Sequence, residues 1–83
     1  MITGSQMKAA RALLGLDQKA LAQLAGLSLP TIQRMEASPG VVRAVVDSLE
    51  KVINALNDAG VELIPIGGRS EGSGRGVRLL ERD

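Results

Sequence analysis

Apolar residues recur at helical spacing through most of the first 60 positions, and the pattern then changes character. Thr3, with Gln6 three residues later in capping-box register, opens a periodic segment through Met7, Ala10, Leu13 and Leu14, which predicts a first helix ended by Gly15. Asp17 is a good N-cap for a second helix over Gln18 to Ala25, with Leu21, Leu24 and Ala25 as one apolar stripe and Gly26 as its breaker. Ser28 caps a third helix, in which Pro30 falls in the first turn where its missing N–H does no harm. Ile32 and Met35 are its inward residues, and Pro39 with Gly40 closes it.

From Val41 to Gly60 the apolar positions 42, 45, 46, 49, 52, 53 and 56 again keep helical spacing. Asp47 with Glu50 resembles a second capping box, so the reading is a loop or short helix over 41–46, then a helix from Ser48 to Asp58 and an αL glycine at Gly60. Beyond it, Val61 to Ile66 is β-branched and mostly apolar, Gly67 to Gly76 is rich in Gly, Ser and Arg, and Val77 to Leu80 is apolar again. Two short strands around a flexible loop fit this best. Because an isolated hairpin is marginal in water, the strands should lie against the helices or pair with a second subunit.

Composition narrows the chemistry. The 83 residues contain no Cys, His, Phe, Tyr or Trp. The usual zinc sites, disulfides, Cys nucleophiles and His bases cannot be built, and neither can base-stacking platforms or aromatic cages. At 45% hydrophobic and 23% charged the chain should fold. No apolar run reaches a membrane span, and the first 15 residues lack the pattern of a signal peptide, so the expected address is cytoplasmic, away from membranes. Without aromatic side chains, which each bury about 150 to 250 Å², so small a core invites completion by a partner chain. The net charge is +1, and the excess lies in residues 1–37, where Lys8, Arg11, Lys19 and Arg34 face Asp17 and Glu36. That is a weak pointer to a polyanion.

Two short helices joined by a tight turn place strict demands on a few positions in 18–35. Leu21 and Ala25 face inward, Ala22 sits where the second helix crosses closest, and Gly26 supplies a positive-φ turn. Leu27, Ile32 and Met35 point back to the shared core. Ser28, Leu29, Pro30, Thr31, Gln33 and Arg34 are left on the outer face, the residue pattern of a DNA-binding helix-turn-helix.

The stretch Arg11 to Glu36, RALLGLDQKALAQLAGLSLPTIQRME, resembles the Cro and phage-repressor type, or Xre, helix-turn-helix family. The start TGSQMKAARALLGLDQ is similar to a subgroup of small bacterial members. The likeness is tight over residues 3–37 and looser to Gly60, and it rests jointly on Gln18, Leu21, Ala22, Gly26, Leu27, Ile32, Met35 and Glu36. It implies a mainly α domain of four to five helices with a short C-terminal β-hairpin or dimerisation strands. It implies phosphate contacts from Gln18 and Thr31, a pair between Arg11 and Glu36, and base-edge positions at Leu29, Pro30, Gln33 and Arg34. Arg34 would then pair bidentately with guanine, and Leu29 would pack on a thymine methyl. Two departures stand out: Leu29 and Pro30 occupy reading positions that are polar in many members, and Leu16 stands where the small members often have Trp.

The expectation is a helix-turn-helix domain over 1–60 and a dimerising β extension over 61–83. The expected function is a sequence-specific regulator, a repressor or autoregulator, reading double-stranded DNA with residues 28–36. Inverted-repeat half-sites, a homodimer and no cofactor or metal go with it. Each residue alone has a plainer explanation: Ala22 and Gly26 occur in any helical hairpin, Arg34 can be a solvated arginine, and Arg69 and Arg75 can belong to a solvated linker instead of a phosphate-tracking arm. The alternative is a protein-binding module, such as an antitoxin or antiactivator, using strands 61–66 and 77–80. No catalytic pair or phosphate loop is present in the sequence, so no enzyme is expected.

Overall fold

In the computed structural model, which describes residues 2–68, 72 and 74–80, four helices carry a C-terminal hairpin. They are α1 (Gly4–Leu14), α2 (Gln18–Ala25), α3 (Leu29–Glu36) and α4 (Val46–Ala59), followed by β1 (Val61–Ile64) and β2 (Gly76–Leu79). This is the mainly α helix-turn-helix fold with a hairpin that the sequence implied.

The first three helices begin on the residues expected to cap them, and the first two end on their expected glycines. Thr3 Oγ1 accepts from the Gln6 N–H, and Gln6 Oε1 accepts in return from the Thr3 N–H at 2.9 Å, a complete capping box. At the far end of α1, Gly15 adopts φ 68°, which lets the Leu16 and Gly15 N–H groups turn back to Arg11 and Ala12. Helix α3 stops at Glu36, with Ala37 following it, three residues before Pro39 and Gly40.

A single core of Met7, Leu21, Ile32, Met35, Val52, Leu56 and Val61, all fully buried, joins the helices to the first strand. Leu24, expected in the inward stripe of α2, is instead 56% exposed. At about 100° per residue it lies roughly 105° from the middle of the face that Leu21, Ala22 and Ala25 bury. Leu13, at the last turn of α1, is exposed too.

Of the two readings for 41–46, a loop or a short helix, residues 41–45 take the non-helical one. Here Val42 N–H donates to Ile2 O at 2.9 Å and Val41 bridges Thr3. Extended backbone alternates its side chains, so Val42 is buried while Val41 is exposed. Val45 and Val46, which helical spacing placed inside, are 69% and 65% exposed. Helix α4 starts two residues before Ser48, on Val45 as N-cap and without a side-chain cap. Asp47 is drawn into a first-turn pair with Lys51 at 3.2 Å and does not cap.

Strand β1 is shorter than 61–66, because Pro65 has no N–H for a ladder and its carbonyl accepts from Gly68 in a turn. Antiparallel β2 pairs Val61 with Leu79 and Ile64 with Gly76, and Leu80 N–H extends the ladder to Gly60 O at 2.7 Å. The hairpin lies against α1 and α4 of its own chain. Gln6 fastens it there. Its side chain is 5% exposed, and Nε2 donates to both Ile64 O and Gly76 O at 3.0 Å, the last pair of the ladder. Arg69 lies outside the described residues, and Arg75 is exposed just before β2. No helix among the described residues is long and apolar enough to cross a membrane.

Candidate nucleic-acid interface

The local chemistry of α2 and α3 sets a rigid corner. Asp17 Oδ1 accepts from Ala20 N–H at 2.7 Å to start α2. Gly26, at φ 68°, ends it while Leu27 and Gly26 N–H groups return to Ala22 and Gln23. This closed turn leaves two residues before α3, where Ser28 Oγ accepts from Thr31 N–H and also meets Thr31 Oγ1 at 2.8 Å. Across the corner, Leu21, Ala22 and Ala25 pack against Ile32 and Met35, all buried, with Leu27 half-buried beside them. Ala22 is small enough to allow that approach.

With Ile32 and Met35 held inside, α3 exposes Pro30, Gln33 and Arg34 to solvent and leaves Leu29 and Thr31 half-buried; Ser28 is exposed at its start. Among the described residues, the Gln33 and Arg34 side chains make no hydrogen bond or ion pair, so their donors are open to an external partner. The outer face therefore carries all six expected residues, from Ser28 to Arg34.

Behind that face stands Glu36, 2% exposed. Arg11 reaches it from α1 in a two-point pair, Nε to Oε2 at 2.7 Å and Nη2 to Oε1 at 2.8 Å, and its Nη1 donates to Leu16 O at 3.1 Å. The expected pair is present, but the carboxylate is buried, so the small contribution of a surface pair does not apply. The hydrogen bond to Glu36 raises the Arg11 pKa from its ordinary value; burial lowers it, and the charges of Glu36 and Asp17 raise it further. Gln18, expected to face a phosphate, donates from Nε2 to Glu36 Oε1 at 3.2 Å. No sequence signal announced that link, because it depends on how α2 crosses the end of α3.

One other residue escaped the sequence reading. Gly4 brings α1 so close to the end of α3 that an added Cβ would lie 2.5 Å from Glu36 O. A glycine at the start of a helix signals nothing by itself. Lys19, in the first turn of α2, and Arg43, beyond α3, are exposed cations. Among the described residues no cluster of carboxylates could hold a metal ion.

A family model described as helix-turn-helix matches residues 7–57, from α1 into the last turn of α4. No curated protein matches the chain.

Proposed function

Because the chain belongs to the helix-turn-helix family of Xre/Cro type, a family of DNA-binding domains, we propose that it is a dimeric, sequence-specific transcriptional regulator acting as a repressor or autoregulator. The observation that carries this reading is the division of α3 into a locked face, Ile32 and Met35, and an open face bearing Pro30, Gln33 and Arg34. An α-helix so presented fits the major groove, where an arginine pairs bidentately with guanine O6 and N7 and a glutamine with adenine. Gln33 and Arg34 supply the direct readout, Leu29 and Pro30 contribute apolar contact, and Gln18 and Thr31 meet backbone phosphates. A low net charge goes with modest nonspecific affinity and with specific binding that weakens as salt rises.

A homodimer would set inverted-repeat half-sites about one helical turn apart, near 10 base pairs. Exposed Val45, Val46, Ile66 and Leu79, together with a sheet of only two strands among the described residues, support a second chain, and residues 61–83 are the proposed dimerising part. Selection from random DNA is the direct test. Recovery of a palindrome agrees with class, symmetry and spacing together, and failure to enrich any duplex overturns the reading.

The same two-stranded sheet favours a second reading, a protein-binding module that adds β1 or β2 to a partner's sheet. Pull-down with and without nuclease separates the two. A partner retained after the DNA is destroyed supports the module.

A further inference from the structure

We propose that Glu36 is a positioning residue for DNA binding: its buried carboxylate orients the Gln18 side chain so that the second amide N–H of Gln18 donates to a backbone phosphate. The inference rests on the phosphate contact proposed for Gln18, and adds the group that makes the contact effective.

Glu36 Oε1 accepts from two donors at once, Arg11 Nη2 at 2.8 Å and Gln18 Nε2 at 3.2 Å. One N–H of the Gln18 amide is thereby directed inward, and planarity of the amide then fixes the direction of the other. Gln18 is the first residue of α2 and half-buried, so its amide is carried at the helix start, where backbone N–H groups also favour an anion. A free glutamine has three rotatable side-chain bonds to immobilise on binding. An anchored one has already lost that freedom in the unbound protein. A carboxylate beside DNA would ordinarily repel it. Here the two-point pair with Arg11 compensates the charge, leaving Oε1 as an acceptor at little electrostatic cost.

The test compares two variants of equal charge on a duplex recovered by selection with the native chain. In Arg11→Met/Glu36→Met the buried pair becomes apolar, a replacement that is often neutral or stabilising, and Gln18 loses its anchor. In Arg11→Met/Glu36→Gln an acceptor remains at position 36. The glutamine variant should bind about three- to tenfold more tightly than the methionine variant, the worth of one hydrogen bond. Adding Gln18→Ala to each should erase that difference. Equal affinity of the two variants while Gln18→Ala still weakens the native chain overturns the positioning role and leaves the phosphate contact standing. Gln18→Ala without effect in the native chain overturns the contact and the positioning with it. Should either variant fail to fold, side-chain amide NMR of the free native protein decides. A Gln18 amide as ordered as the backbone supports the anchor, and a freely rotating one overturns it.

Discussion

Arg11 on α1 and Glu36 at the end of α3 meet through two parallel hydrogen bonds, 2.7 and 2.8 Å long, with the Glu36 side chain only 1% exposed. This pair joins the first helix to the helix that carries the open face. Removing one partner leaves the other charged and uncompensated. Arg11→Met or Glu36→Met alone should cost about 3–5 kcal/mol, whereas the double replacement should fall well short of the sum. Urea denaturation of the three variants measures this. Additive losses would show that the two side chains stabilise the fold independently.

The pH behaviour of the pair follows from the raised Arg11 pKa. A cation whose pKa is higher folded than unfolded contributes stability that is fully present below the unfolded value and is lost only as pH climbs through the folded one. Arginine in either state stays protonated from about pH 7 to 10. The stability difference between the native chain and Arg11→Met should therefore be constant across that range. A difference that shrinks over it would mean that another titrating group sustains the pair.

Gly4 is the close-approach point between α1 and the chain leaving α3, where a Cβ would stand 2.5 Å from Glu36 O and 3.2 Å from Ser38 O. Both neighbours are backbone, so they cannot swing aside. Gly4→Ala should destabilise by about 1–3 kcal/mol despite the better helix propensity of alanine. Thermal melting checks it, and an unchanged or raised midpoint would show that the end of α3 can yield.

The parts legible in the sequence were those governed by local chemistry. Thr3, Asp17 and Ser28 as caps, and Gly15 and Gly26 as stops, fix three helix starts and two helix ends within a residue or two, since each acts on groups no more than five positions away. What stayed hidden depends on partners distant in the chain. The pairing of residues 2–3 with 41–42 decides between the loop and the short helix that the sequence left open for 41–46, in favour of non-helical backbone over 41–45. Gln6 shows the same limit: its capping role was readable, but its bonds to Ile64 and Gly76 span 58 and 70 residues. In the candidate site the outer face of α3 was readable from periodicity and resemblance, while the link from Gln18 to Glu36 required the crossing of two helices.

Self-association is expected from the exposed apolar residues, and two regions compete to provide it. Sedimentation should give about twice the 8.7 kDa chain mass at tens of micromolar. Leu79→Glu should return it to one chain if the strands form the contact, and Val45→Glu/Val46→Glu if the start of α4 does. A native mass of one chain at that concentration removes the dimer, and with it the expectation of inverted repeats.

Arg34 offers the sharpest test of groove reading, because its side chain is exposed and makes no bond within the chain among the described residues. Truncation should leave stability within about 0.5 kcal/mol, as for an ordinary surface position. If it pairs with guanine, Arg34→Ala should weaken binding to the selected duplex by about 1–3 kcal/mol and relax the preference at one base pair per half-site, with the other positions unchanged. A phosphate contact behaves differently. Its loss weakens binding to all sequences alike and lowers the salt slope by about one. Repeating the selection with Arg34→Ala, and titrating salt on the recovered duplex, distinguishes these outcomes. Uniform weakening with a shallower slope would reassign Arg34 to the backbone and leave Gln33 as the polar base reader on α3. No change in affinity or preference would remove Arg34 from the interface altogether.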